Sequence, residues 1–289
     1  MFPGDDASVW EVIRPGRASR LPGVGMAGFR DRGVITTGQR AIPHPAVTLA
    51  LEFGGGSLVV TDASGRQRRD GFVAGVGFGS GAFWVRGERF QAVQVRLSPL
   101  VASGFLGVPP GDLDDGVVNL GDVWGRSAAR LADRLHHAGS WDERFALVEA
   151  ALARRWRSGP GRSGPGRSGP GPTADPEVAR VWRRIRDGHG RGRIDGLAAE
   201  VGWSRKRLWS RFSAQLGVLP KHAARLIRFD HAVHRLVAGE PAARVAADSG
   251  YADQSHLNRD VVAFAGSAPG AAAREPWLAV DKKAWPPTK

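Results

Sequence analysis

Residues 158–172 read SGPGRSGPGRSGPGP, nearly three copies of one five-residue unit, and this stretch limits the fold more than any other. Gly, Pro and Ser bring almost no apolar area to bury, so the segment joins no core and reads as a linker. A flexible chain of that length spans roughly 20–25 Å end to end. The sequence is therefore expected to form two bodies, residues 1–157 and 175–289, joined by a Gly/Pro/Ser/Arg linker over 158–174. Charge divides unevenly across this boundary. The first part has 19 basic and 16 acidic residues, net +3; the linker adds Arg162 and Arg167; the last part has 20 basic and 12 acidic residues, net +8 of the total +13.

At roughly 100–200 residues per domain, a chain of 289 residues also suggests two domains. Hydrophobic residues make up 42%, enough to build cores, which excludes global disorder. There is no cysteine, so disulfide scaffolds, thiolate zinc sites, iron–sulfur clusters and a cysteine nucleophile are excluded together. No apolar run reaches the ~18–20 residues that span a bilayer. The start, MFPGDDASVWEV, lacks a basic segment followed by an apolar stretch, so no secretory signal is expected. These features point to a cytoplasmic protein with an anionic partner. Charge alone does not choose between nucleic acid and a membrane surface.

The N-terminal half changes character partway. Short runs such as AVTLALEF (46–53), SLVVTD (57–62), GFVAGVGF (71–78), AFWVRG (82–87) and FQAVQVRL (90–97) are bounded by Gly, Pro or Asp. That pattern predicts an antiparallel sheet, sandwich or barrel. After Pro99 the pattern turns helical. Ser140 and Glu143 have capping-box spacing, and Phe145, Val148 and Leu152 fall on one helical stripe. This half is expected to be an α+β domain, a β-rich body with a helical tail.

The C-terminal half is helical throughout. Asp175-Pro176 has the form of an N-cap with Pro at the first helical position. Val178, Val181, Trp182 and Ile185 follow at helical spacing. Asp195 is a second cap candidate, and the stretch LAAEVGWS after it puts Ala198 and Gly202 four apart. In a helix-turn-helix the small residue lets the second helix cross closely, and glycine accepts the left-handed turn. Ser204 caps the second helix, which is expected to bury Leu208, Phe212 and Leu216 and to turn Lys206, Arg207 and Ser210 outward, with Trp209 at the boundary. The arrangement then repeats 48 residues on. Ala246 and Gly250 are again four apart, and the next helix is expected to bury Leu257, Val261 and Phe264 while Ser255, Asn258 and Arg259 face outward and His256 flanks them. Between the units, Pro220 opens a long helix, about 221–238, with Ala223, Leu226, Ala232 and Leu236 as apolar positions.

With both units on the page, residues 194–270 resemble the DNA-binding domain of AraC/XylS transcription regulators. The resemblance extends from about Pro176 to Trp277 and is densest at GVLP (217–220), GYADQSHLNR (250–259) and GSAP (266–269). The N-terminal half is diffusely similar to ligand-sensing domains of some members. The resemblance implies an all-α domain at 175–280, with two helix-turn-helix units joined by a long helix, and a tail at 281–289. It implies two recognition helices entering successive major-groove faces of double-stranded DNA. It places Lys206, Trp209 and Ser210 of the first helix, and Ser255, His256, Asn258 and Arg259 of the second, toward the groove. The family usually has Arg where this chain has Ser210, a smaller polar residue in place of Trp209 and an aromatic in place of Val261. Successive major grooves repeat about every ~34 Å, a spacing that a rigid connecting helix can match. Arginine donates twice to guanine and asparagine pairs with adenine, which favours Arg259 with Asn258 as readers. Arg205, Arg207, Arg225 and Arg228 are the phosphate candidates. RNA polymerase, a small-molecule effector and a second copy of the chain are the further partners this reading allows.

Plainer readings stand beside these. A basic helix face is often merely solvated, Trp209 and His256 often pack, and Ser255 is as good a cap as a reader. His44 is expected in a turn or core; His136 and His137 are the other histidines before the linker, too few for a cupin-like metal site. Glu52 and Asp62 near strand ends are expected to be exposed, though they could line a pocket. Residues 75–81, GVGFGSG, lack the Lys-Ser/Thr of a phosphate loop and read as a glycine-rich turn. The helices over 131–152 either dimerise or cap the β-body. No catalytic triad or Gly-x-Ser-x-Gly elbow is present, and no cofactor or metal is expected. A DNA-binding regulator without enzymatic activity is the leading class. The alternatives are a non-specific nucleic-acid binder and an enzyme domain fused to a DNA-binding module, for which an alkyl-acceptor cysteine is missing.

Overall fold

The computed structural model describes residues 10–31, 39–62, 65–78, 83–113, 116–158, 174–192 and 194–285. Most of the linker, 159–173, lies outside them.

The N-terminal half contributes ten strands: β1 Trp10–Ile13, β2 Val24–Asp31, β3 Gln39–Ala41, β4 Val47–Phe53, β5 Ser57–Thr61, β6 Gln67–Arg68, β7 Phe72–Ala74, β8 Phe83–Glu88, β9 Gln91–Leu97 and β10 Val117–Asn119. They form two antiparallel sheets, ordered β1-β2-β9-β4-β7-β10 and β3-β8-β5-β6. All five runs read as strands in the sequence contain one, although in GFVAGVGF (71–78) the strand stops at Ala74 and 76–78 form a 3-10 turn. The other five went unread: β3, β6, β7's partner β10 and β1 are short, and β2 is interrupted by glycines. Side chains alternate as a half-buried strand requires. In β8, Phe83, Val85 and Gly87 are buried and Trp84, Arg86 and Glu88 are exposed. The inner faces of the two sheets share one apolar cluster, including Phe29, Ala50, Leu58, Val60, Phe83, Val85 and Ala92.

The outer face of the larger sheet is covered by helices α1 Ala102–Leu106, α2 Leu120–Trp124, α3 Arg126–His137 and α4 Trp141–Ser158. Leu131, Leu135, Phe145, Val148 and Leu152 join Leu49, Leu51, Val93 and Val95 in a single core, so α3 and α4 cap the β-body. Trp141 lies flat on β2 at Gly28, where any Cβ would stand 2.4 Å from its ring. The expected capping box is half formed: Glu143 N–H donates to Ser140 Oγ at 3.2 Å, but the Glu143 carboxylate accepts from Gly139 N–H, one residue before the cap, at 2.8 Å.

The C-terminal half is α5 Pro176–Asp187, α6 Leu197–Glu200, α7 Arg205–Leu216, α8 Pro220–Val237, α9 Ala242–Asp248, α10 Gln254–Ala265, α11 Pro269–Ala272 and α12 Pro276–Ala284. At ~1.5 Å per residue, the 18 residues of α8 make a rod of about 27 Å. Nine of its residues are buried, among them Ala223, Leu226, Phe229, Ala232 and Leu236, so packing on several sides fixes the rod.

Three expectations change. Asp175 makes no side-chain cap at α5; its carboxylate pairs with Arg211 instead. The boundary expected at 280/281 falls inside α12, where Val280 and Asp281 are both buried. The two halves do not stand apart: the linker permits separation, yet apolar side chains from both belong to one core.

Candidate nucleic-acid interface

The two helix-turn-helix units are built alike from the backbone up. Gly202 and Gly250 adopt φ of 68° and 77°, the left-handed turn that an L side chain resists. In each unit the turn is closed by the same bond: Trp203 N–H donates to Ala198 C=O at 2.9 Å, and Tyr251 N–H to Ala246 C=O at 3.0 Å. Ala198 and Ala246 are buried, as the close crossing of helices demands. Leu208 and Phe212 on α7, and Leu257 and Val261 on α10, are wholly buried.

Each recognition helix starts with a side-chain cap. Ser204 Oγ accepts from Arg207 N–H at 3.2 Å. On α10 the cap is Asp253, whose carboxylate accepts from His256 N–H at 2.7 Å. Ser255 is therefore not the cap. It lies in the first turn, two residues after the cap, exposed, and its carbonyl accepts from Arg259 Nε at 3.4 Å.

The outward residues differ between units. Lys206 and Ser210 are exposed on α7, while Trp209 is half-buried against the core with Arg205 above its ring at 5.4 Å. On α10, Arg259 is exposed. Asn258 is half-buried, with its Oδ1 shielded and without a hydrogen-bond partner. His256 is half-buried and meets Tyr251 edge-on at 5.2 Å. Of the residues expected to face the groove, Lys206, Ser210, Ser255 and Arg259 are thus exposed, and Trp209, His256 and Asn258 are half-buried.

The four phosphate candidates also separate. Arg205 and Arg207 lie on the outside of α7, the latter over Trp203 at 4.6 Å. Arg225 and Arg228 converge on Asp260, which is 2% exposed. Arg225 Nη2 reaches Oδ1 at 2.8 Å and Arg228 Nη2 reaches Oδ2 at 3.4 Å, while Arg228 also covers the Tyr251 ring at 4.5 Å. Arg225 keeps 40% of its side chain in solvent and Arg228 15%, so Arg228 serves mainly to hold α10 against α8. Sequence reading passed over Lys221. It is exposed at the start of α8 and borders one cleft with Arg225, His256 and Arg259. Its signal was its place directly after the helix-opening Pro220.

The two acids of the N-terminal half fall elsewhere than expected, while His44 is buried as expected. Asp62 is buried, paired with Arg66 at 3.0 Å and Arg68 at 3.2 Å. Glu52 is half-buried, and burial pushes its carboxyl up to about 7. Neither lines the cavity between the sheets. Residues 76–78 make a 3-10 turn whose Gly77 rests on Leu226 of α8; 79–81 lie outside the described residues. His44 is buried at the junction of the halves, between Asp230 of α8 at 3.2 Å and Asp281 of α12 at 3.3 Å. No local sequence signal pairs residues so far apart.

Two capped helices on repeated turns, spaced by a buried rod and joined to a β-sandwich, define a two-domain protein with a bipartite helix-turn-helix DNA-binding region. Residues 197–275 match a family model described as a helix-turn-helix domain, and this C-terminal domain is of AraC type. Among solved structures, an apo variant of ToxT from Vibrio cholerae is 11% identical, aligning over 90% of this chain and 99% of its own, with a TM-score of 0.50. ToxT from the same strain with an unsaturated fatty acid bound is 14% identical over 91% and 98%, with a TM-score of 0.48. The C-terminal domain of AraT, a response regulator from Geobacillus stearothermophilus, is 21% identical over 35% and 85%, with a TM-score of 0.33. A search of curated proteins gave no match. At such identities the likeness concerns fold, and it agrees with the β-rich N-terminal and helical C-terminal arrangement. No helix among the described residues is long and apolar enough to cross a membrane.

Proposed function

We propose that this chain is a cytoplasmic, sequence-specific regulator of transcription that reads double-stranded DNA with α7 and α10 in successive major grooves, and that its N-terminal domain modulates this by binding a small molecule or by self-association. The carrying observation is the pair of capped helices with exposed polar faces, set at fixed spacing by a buried α8. A non-specific binder needs basic surface but no such matched pair. Arg259 supports base reading, since its planar fork suits guanine. Lys206, Ser210 and Ser255 are short or flexible contacts beside it, and Arg205, Arg207 and Arg225 fit phosphate.

Modulation is supported by a cavity of about 100 Å³ between the two sheets, lined mostly by apolar side chains. Thr48 Oγ1, buried and without a hydrogen-bond partner, belongs to its wall. A buried hydroxyl left unsatisfied costs stability unless something binds it.

Competition binding with the full-length chain tests the reading. A preferred duplex should win over bulk DNA by ~10³ or more. Equal binding to every duplex would leave a non-specific binder.

A further inference from the structure

The cavity between the sheets is closed by the far end of the chain. Leu278, Val280, Asp281 and Trp285, all beyond the second helix-turn-helix unit, line it together with strand residues such as Phe29, Thr48 and Arg96. Val280 and Ala284 are 5% and 4% exposed and belong to the apolar cluster of the two sheets. Trp285 lies under the Arg96 guanidinium at 4.5 Å and against Gly25, where a Cβ would stand 3.0 Å from the ring. A segment of the DNA-binding half thus completes the core of the other half.

One carboxylate fastens this segment. Asp281, 7% exposed, accepts from Arg96 and from His44 Nε2 at 3.3 Å, both in the N-terminal domain. Its other oxygen meets His234 Nε2 of α8 at 3.3 Å. His44 Nδ1 reaches Asp230, also on α8, at 3.2 Å. The same contact therefore holds α12 in the cavity mouth and ties both to the rod that spaces the recognition helices.

We propose that α12 is an intramolecular stopper: with it seated, the cavity admits nothing larger than a single small ring, and a bulkier, mainly apolar ligand carrying one hydrogen-bonding oxygen must expel it, opening the Asp281 contacts with Arg96, His44 and His234. Cavity occupancy reaches the DNA-binding helices by that release. The inference rests on the reading of the cavity as a ligand site. The apolar walls select the body of such a ligand; Thr48 and Arg96 would take its oxygen. Aromatic residues from the β-body, not solvent, face the inner side of α12, so its release exposes Val280, Ala284 and Trp285 and uncovers a deeper pocket.

The absence of cysteine makes the test direct. Lys283→Cys, on the exposed side of α12, gives the full-length chain one site for a nitroxide label. The probe is 8-anilinonaphthalene-1-sulfonate, too large for the closed cavity. Wild type should bind it weakly with an immobile label. Asp281→Asn should bind it about tenfold or more tightly, and saturation should free the label. Adding Ala92→Leu, which fills the cavity from β9, should abolish probe binding while cooperative unfolding persists, separating cavity binding from general loosening. Probe bound with the label still immobile overturns the stopper but leaves a ligand site. A freed label in Asp281→Asn with no probe binding removes the ligand site, and the stopper with it.

Discussion

The two helix-turn-helix units share a backbone but are held differently. The first leans on the N-terminal domain: Gly111 packs so closely on α7 that a Cβ there would stand 2.4 Å from the Ala214 carbonyl, and Gly217 meets Pro110 in the same way. Its ion pair, Arg211 with Asp175, is largely exposed. The second unit is bound to α8 by buried charge, Asp260 with Arg225 and Arg228, and by Arg235, which pairs with Glu240 and Asp248. Arg40 of the N-terminal domain reaches the end of α10, where it donates to the Ala263 carbonyl at 3.4 Å. The unit that carries Arg259 is thus fixed to α8, and the unit with Ser210 and a packed Trp209 leans on the N-terminal domain. If both helices read DNA as proposed, α10 should carry more of the sequence discrimination than α7.

The largest effect that separates them is the loss of a buried charge. Asp260→Ala should cost about 3 kcal/mol in urea unfolding, because two guanidiniums lose a partner inside the protein. Arg211→Ala, at the exposed pair of the first unit, should cost about 0–1 kcal/mol. Equal losses would show the units to be held alike. Next comes base reading. Arg259→Ala should lose about 1–3 kcal/mol of discrimination between duplexes while keeping non-specific affinity, whereas Ser210→Ala should change discrimination little. Uniform weakening on every duplex would make Arg259 a phosphate clamp.

Cap removal should not distinguish the units. Ser204→Ala and Asp253→Ala should each cost about 1 kcal/mol, measured by thermal unfolding. A large inequality would mean that one recognition helix depends on its neighbours more than the packing indicates.

The smallest effect is titration of the hold on α8. The hydrogen bond that His234 donates to Asp281 raises its imidazole above the ordinary 6.5; burial opposes this, Asp230 adds to it and Arg96 subtracts. A raised histidine stabilises fully below its ordinary value and loses that contribution as pH rises through the shifted value. Burial alone would raise Asp281, but the charges of His44 and Arg96 and the bond from His234 outweigh it and hold it well below 3.8, so its contribution is lost only in acid. The domains should therefore be held most firmly between these limits, and chemical denaturation of wild type should weaken above neutrality. The slope should flatten in His234→Gln; an unchanged slope would assign it to another group.

Much of this was legible in the sequence where interactions are local. The Ala-x-x-x-Gly steps, the Ser204 cap and the stripes Leu208-Phe212 and Leu257-Val261 all lie within one turn or one helix, so spacing reveals them. The strands with alternating apolar residues were readable for the same reason. Asp260 and Asp281 were not, because their partners lie 32 to 35 and 47 to 237 residues away. The flexible linker argued for independent halves, yet flexibility of a connection says nothing about whether the surfaces it joins are apolar and complementary. Asp281 and Ala284 read as a tail because their burial depends on sheets some 200 residues earlier.

The most direct test is selection of bound duplexes from a random pool, run in parallel with the full-length chain and with Arg259→Ala. Two blocks of sequence information should emerge about one helical turn apart, ~10–10.5 base pairs, the block belonging to α10 being the stronger. Arg259→Ala should erase a guanine preference in that block and leave the other intact. A single block, no block, or equal weakening of both would contradict a protein that reads DNA with both recognition helices and most strongly with the second.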